Sequence, residues 1–247
     1  MQVFSVAITG LVVSFVFSMV GAGGSQVMVP ILFWFGLDFK MEAIPLALLE
    51  SAVTCFSAGF VYSRKGVVDY KVAMPFAISA LLIAPIGALA NFKASSGLVM
   101  IVFAISNIAI GFGVLQGKSV IKKPLSRRTE IALGIIMGMG TGFFIGLIGR
   151  DGAPFILAAL VFIGYDAREA AGSSAFIVAG ACLAAFAVHV FNATLGWEVY
   201  VAGALACLVG SQLGSRLMSE RLDSKAVRII FTVVMVVVGI VILIQAL

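Results

Sequence analysis

An all-α integral membrane protein built from two homologous repeats is the fold class this sequence predicts, and three observations predict it. The 247 residues are 62% hydrophobic and 11% charged, with a mean hydropathy of +1.19; soluble domains carry about 25% charge. Apolar runs of at least about 18 residues recur along the chain, each long enough to cross a hydrocarbon core about 30 Å thick. Two glycine-broken segments, G-A-G-G-S-Q-V-M-V-P at 21–30 and G-R-D-G-A-P at 149–154, lie 128 residues apart. The same offset carries Leu32 onto Leu160, Gly36 onto Gly164, Asp38 onto Asp166, Lys40 onto Arg168 and Ala43 onto Ala171. The repeats are 1–117 and 130–247, joined by a basic linker at 118–129, K-S-V-I-K-K-P-L-S-R-R-T.

The elements follow in order. Residues 4–35 form one apolar stretch, interrupted at 21–25. Residues 44–63 are a span, followed by the basic turn S-R-K-G-V-V-D, and 70–91 and 95–116 are two more spans. After the linker the plan returns: 131–163 interrupted at 149–152, then 170–191, 197–218 and 226–246. Helix is expected throughout, because backbone groups in lipid must be satisfied within their own segment. The alternating stretches of a membrane barrel are absent.

As one helix, 4–35 would be about 48 Å long, which overshoots the hydrocarbon core unless it is steeply tilted. The alternative is a re-entrant hairpin, two half-helices meeting at the glycines. Basic residues discriminate. With the linker in the cytoplasm and both broken stretches as hairpins, residues 64–71, 118–128, 168 and 216–228 place thirteen of the sixteen Lys and Arg inside. Lys40 and Lys93 are then outside and Arg150 is in the membrane. With single crossings the split is eight to seven, so the positive-inside rule favours hairpins, and with them two halves of opposite orientation.

The hairpins give the breaks a purpose. A half-helix that starts at membrane depth presents unpaired N–H groups and a positive dipole end, and paired breaks in two halves mark transport sites. The candidate substrate-binding residues are Gly23, Gly24, Ser25, Gln26, Arg150, Asp151, Gly152, Ala153, Ser173 and Ser174. Glycine admits an anion close to the backbone. Asp151 can cap the second half-helix, whose first turn holds Pro154. Arg150 brings a planar fork suited to a two-oxygen anion. Against this stand close glycine packing, mutual neutralisation of Arg150 and Asp151, and serines bonded to helix carbonyls.

Glu50, inside 44–63 and near Ser51 and Thr54, is the proton-coupling candidate, since intramembrane carboxyls mark proton pathways. His189 is read as interfacial, and Trp34 and Trp197 as interface anchors. Cys55, Cys182 and Cys207 lie in apolar spans with no CxxC and no neighbouring His, so neither a disulfide framework nor a metal site is expected. The net charge of +5 sits in short loops and reports topology, not nucleic acid. No cofactor is implied.

Read together, G-x-G-G-x-x-x-x-V-P at 21–30, the following Gly36-Leu37, the S-R-K-G-V-V-D-Y turn at 63–70 and the recurrence of this plan in the second half resemble the TauE/SafE family of membrane permeases, also called the sulfite exporter or 4-toluene sulfonate uptake family. The resemblance covers nearly the whole chain. It implies a multi-pass bacterial inner-membrane transporter for small, often sulfur-containing anions: sulfite, organosulfonates or related acids. The second motif departs from the family pattern. Arg150-Asp151 stands where small residues are usual, and Ala158 occupies the position equivalent to Pro30. The expectation is therefore a secondary transporter or facilitator, exporting such an anion, with the lipid bilayer as its other partner and a homodimer left open. The alternatives are an anion channel, proton-coupled uptake of a small organic acid, and, remotely, an intramembrane hydrolase using Ser25 or Ser173 with His189. No Walker motif supports ATP-driven pumping.

Overall fold

The computed structural model describes residues 2–19, 21–116, 127–163, 165, 167–221, 236 and 240. Among them lie nine α-helices and no strand: α1 Gln2–Ser18, α2 Ser25–Trp34, α3 Ile44–Arg64, α4 Tyr70–Lys93, α5 Ser96–Gln116, α6 Arg127–Ile148, α7 Ala153–Ile163, α8 Ala167–His189 and α9 Trp197–Arg221. Helices α3, α4, α6 and α8 are each long and apolar enough to cross a membrane. The expected span 226–246, apart from 236 and 240, and linker residues 118–126 lie outside the described residues. The linker is shorter than expected at its far end, because α6 already begins at Arg127.

The breaks fall where the glycines are, and the arms on the two sides of each break differ in length. Only α2 and α7 are short, at 10 and 11 residues. The arm before each break is longer, 17 residues in α1 and 22 in α6. The reason is packing. Gly138, Gly142 and Gly146 recur every fourth residue and line one face of α6. A Cβ on any of them would run into α4, against Phe76 O, Ala80 O and Ala84 O. On α9, Gly210 and Gly214 meet Leu11 O and Phe15 O of α1 in the same way. Such contacts let backbones touch, which is how helices associate in lipid, and they hold α6 straight up to Ile148. Gly142→Val should therefore lower stability by about 3 kcal/mol through overpacking, read as a drop in the detergent unfolding midpoint. An unchanged midpoint would show that α4 and α6 do not meet there.

The offset of 128 is kept in the backbone. Val27 and Met28 N–H donate to Gly24 O, and Phe155 and Ile156 N–H to Gly152 O. Leu37 N–H donates to Leu32 O at 3.2 Å, and Tyr165 N–H to Leu160 O at 3.0 Å. Gly24 abuts the Val13 side chain and Gly152 abuts that of its counterpart, Thr141. Packing between the halves is exchanged by the same offset: α1 lies along α9, α4 along α6, and α3 against α8. Gly21 (φ 68°) and Gly149 (φ 73°) take left-handed turns at corresponding places. A Cβ on Gly21 would strike the Ala171 carbonyl, and one on Gly149 would strike Ile44, which follows the counterpart of Ala171.

Loop contacts sort the helix ends. Asp38 accepts from Lys40 N–H and Met41 N–H and so starts a single π-helical turn, Phe39–Ala43, ahead of α3. Lys40 Nζ donates to Asn91 O at 2.7 Å and Ala94 O at 2.8 Å, capping the C-terminal end of α4. Thr194, just before α9, donates to Glu42 Oε1 at 2.9 Å. At the far ends of α3 and α4, Asp69 caps α4 through Lys71 N–H, accepts from Tyr165 Oη at 3.1 Å and donates its own N–H to Ser173 Oγ. Burial first, then the Asp69 charge, pushes the Tyr165 phenol above its ordinary pKa, so it remains a neutral donor. The α2–α3 corner thus meets the end of α4, and the α7–α8 corner meets its beginning.

Candidate functional site

Two short helices begin at one point. Ser25 is the first residue of α2 and Asp151 stands two residues before α7. Ser25 Oγ donates to Asp151 Oδ2 at 3.1 Å, and Ser25 N–H reaches the same oxygen at 3.2 Å. Asp151 N–H donates back to Ser25 Oγ at 2.6 Å. The other carboxylate oxygen, Oδ1, accepts from Ala153 N–H at 3.2 Å, the cap anticipated for this half-helix. One carboxylate therefore takes N–H groups from the starts of both α2 and α7, where unpaired donors and positive dipole ends are concentrated. Ser51 of α3 supports the same point by accepting from Ser25 N–H at 3.1 Å.

Arg150 is 2% exposed and Asp151 fully buried. They are neighbours in sequence, yet among the described residues they form no hydrogen bond with each other. Arg150 Nη1 instead donates to Ser106 Oγ of α5 at 2.8 Å, and that hydroxyl donates to Phe103 O. The guanidinium carbon lies 5.8 Å from the Phe103 ring centroid and 5.6 Å from that of Phe155, within cation–π range. Nε and Nη2 have no partner. Those two nitrogens form the side-on edge of the guanidinium, the edge that matches two oxygens of a carboxylate, sulfonate or sulfite. The Arg150 and Asp151 charges still act on each other through space, but one end of the arginine is anchored on Ser106 and its Nε–Nη2 edge has no partner.

Gln26 is fully buried with neither amide atom partnered, one residue from the meeting point. Gly23 lies against Ser51 and Gly24 against Val13, so the first break runs without room for side chains at these two positions. Ser174 Oγ donates to Gly21 O and Ala171 O, each at 3.0 Å, and so ties α8 to the first break. Ser173 faces elsewhere: its hydroxyl accepts from Asp69 N–H at 3.1 Å and positions the α3–α4 corner. His189, read as interfacial from its place near a helix end, is 2% exposed, with Nε2 2.9 Å from Gly146 O and the ring edge-on to Phe92. The α6 carbonyl of Gly146 and the Phe92 ring of α4 thus cover the imidazole. Neither Ser25 nor Ser173 is bonded to His189. Trp34 and Trp197 are 46% and 63% exposed, as interface anchors would be.

Three contributors were missed by sequence reasoning: Ser106, Phe103 and Phe155. The only signal for Ser106 was a polar residue inside the apolar run 95–116; Phe103 and Phe155 looked like two more of 20 phenylalanines. Among the described residues no group of three or more His, Cys, Asp or Glu converges, and the three cysteines are free and buried. The arrangement offers binding: a fixed guanidinium edge, two helix ends and a buried amide.

Comparison with known proteins bears on what is bound. Residues 6–242 match the family model described as sulfite exporter TauE/SafE. A probable membrane transporter protein, ORF9, of Sinorhizobium sp is 26% identical over 85% of this chain and 80% of its own length. A probable membrane transporter protein, YunE, of Bacillus subtilis is 23% identical over 94% of both chains. One from Xylella fastidiosa is 24% identical over 86% of this chain and 85% of its own. No solved structure matches the chain.

Proposed function

Since the chain belongs to the sulfite exporter TauE/SafE family of membrane transporters, we propose that it carries a small oxyanion that presents two oxygens to one guanidinium, sulfite or an organosulfonate, outward across the bacterial inner membrane. The observation that carries this reading is the free Nε–Nη2 edge of Arg150, buried beside the starts of α2 and α7. A guanidinium edge without partners is costly in a buried site, and an anion with paired oxygens removes that cost. The flanking Phe103 and Phe155 rings suit the weakly hydrated face of the guanidinium.

The proposed architecture is two repeats of opposite orientation, 1–117 and 130–247, each entering through a re-entrant helix pair. It is supported by the contacts at the helix ends, where corresponding corners of the two halves meet opposite ends of α4. The exchange of α1–α9 packing for α4–α6 packing supports it too. Movement of one repeat against the other then alternates access to the shared point. An inside-negative potential favours efflux of each negative charge by about 2.3 kcal/mol per 100 mV, which is why outward movement is proposed.

The test is a ligand screen by thermal shift on purified protein, followed by flux in proteoliposomes. Sulfite, sulfoacetate and isethionate are expected to raise the unfolding midpoint and to show saturable flux. Taurine, whose ammonium opposes the arginine, should bind more weakly. Conductance without saturation would favour a channel, and absence of both stabilisation and flux for every anion would overturn the reading.

A further inference from the structure

Glu50 is used by nothing described so far. It lies in α3 with both carboxyl oxygens buried and unpartnered, and the residue is 1% exposed. Its side chain points at the crossing of α1 and α9: a Cβ on Gly203 would fall on Oε1, and one on Gly10 would lie 3.3 Å from it. Around it are Val6 and Gly10 from α1 and Gly203 and Cys207 from α9. Cys207 is the one titratable group among these, and its thiol donates to Gly10 O at 3.4 Å. Thr54, one turn along α3, also has an unpartnered hydroxyl. Among the described residues no charged side chain acts on Glu50. The two glycines let α1 and α9 approach the carboxyl closely, and a metal cation would need several oxygen ligands there. A proton needs none.

Glu50 is also joined to the meeting point of the breaks. The next residue, Ser51, faces about 100° away around the helix, where its hydroxyl accepts from Ser25 N–H and its Cβ packs on Gly23. One turn of α3 therefore touches the α1–α9 crossing on one side and the α2 start on the other. An anion that shifts the start of α2 on arriving at the breaks would shift Ser51, and with it the turn of α3 that carries Glu50.

We propose that Glu50 is a proton-binding site coupled to the anion site, so that one proton moves with each anion. The carboxylate takes one proton to become a neutral acid when the anion binds and returns it when the anion leaves; no other bond changes. The proposal rests on the anion reading above. For a dianion the pair still carries one net negative charge, which the membrane potential drives outward; for a monoanion such as isethionate the pair is neutral and moves down its own concentration gradient.

The test uses proteoliposomes with a pH-sensitive dye inside and sulfoacetate as the probe, because its two acid groups are ionised at neutral pH and bring no proton themselves. Wild-type protein should move about one proton with each sulfoacetate, in the same direction. Glu50→Gln should lose at least tenfold of that proton movement while exchanging sulfoacetate across the membrane. Glu50→Asp, which keeps the acid, should restore part of it. Wild-type flux with no proton movement overturns the coupling and leaves the anion reading standing, without need of any variant. Full proton movement by Glu50→Gln also overturns it. A wild type that moves no anion of any kind overturns the anion reading and the coupling together.

Discussion

Replacing Arg150 with glutamine is expected to abolish saturable anion flux while the protein still folds. Losing a buried, charge-assisted contact of this kind costs about 3 kcal/mol, on the order of a 100-fold loss in affinity. Folding should survive because the guanidinium makes a single hydrogen bond, to Ser106, whereas the tie between the repeats is made by Asp151 without it. Arg150→Lys separates charge from shape. It keeps the positive charge but loses the paired edge, and roughly a tenfold rise in the half-saturating concentration is expected. Ser106→Ala should act in the same direction and more weakly, since it frees the guanidinium to rotate. Unchanged affinity in Arg150→Gln would remove the arginine from the site and, with it, the main support for a two-oxygen substrate.

The parts of this site that were legible in the sequence are those written in backbone chemistry. Clustered glycines at 21, 23, 24, 149 and 152 mark a weak point for helix in both copies, and Asp151 two residues ahead of a helix start reads as a cap. The structure places the cap there and adds that its second oxygen serves the other repeat. That addition was not legible, because nothing in the letters says that Ser25 and Asp151, 126 residues apart, touch. Arg150 was legible as costly and hence purposeful, but its anchor was not. Ser106 is a lone hydroxyl in an apolar run, a pattern shared by serines such as Ser79, which only bonds back to its own helix at Phe76 O. The burial of His189 was not legible because position along a helix says nothing about what crosses it; here the Gly146 carbonyl and the Phe92 ring do. The packing partner of α6 was not legible for the same reason. Its four-residue glycine spacing is a packing signal that becomes specific only once α4 is its partner.

Asp151→Ala is the variant expected to damage the fold itself. Removing the carboxylate leaves Ala153 N–H without its acceptor and Ser25 Oγ without its own, in a fully buried setting where each unpaired donor costs about 1–3 kcal/mol. Ser25 N–H keeps Ser51. A loss of about 3 kcal/mol is expected, seen as a markedly lower unfolding midpoint. Because Ser25 and Asp151 share three hydrogen bonds, Ser25→Ala combined with Asp151→Ala should cost less than the two separate losses summed, by roughly 1 kcal/mol. Additive losses would mean that the tie between repeats contributes nothing of its own. Asp151→Asn separates the fold from transport. The amide keeps one acceptor for a helix start but gives up the negative charge that now occupies both. If that carboxylate is the internal anion a substrate must contend with, the neutral variant should bind sulfoacetate more tightly, by about tenfold. Tighter binding should then slow release, so flux falls as affinity rises. Weaker binding instead would place Asp151 among the groups that hold the substrate's surroundings in shape, and the substrate at Arg150 alone.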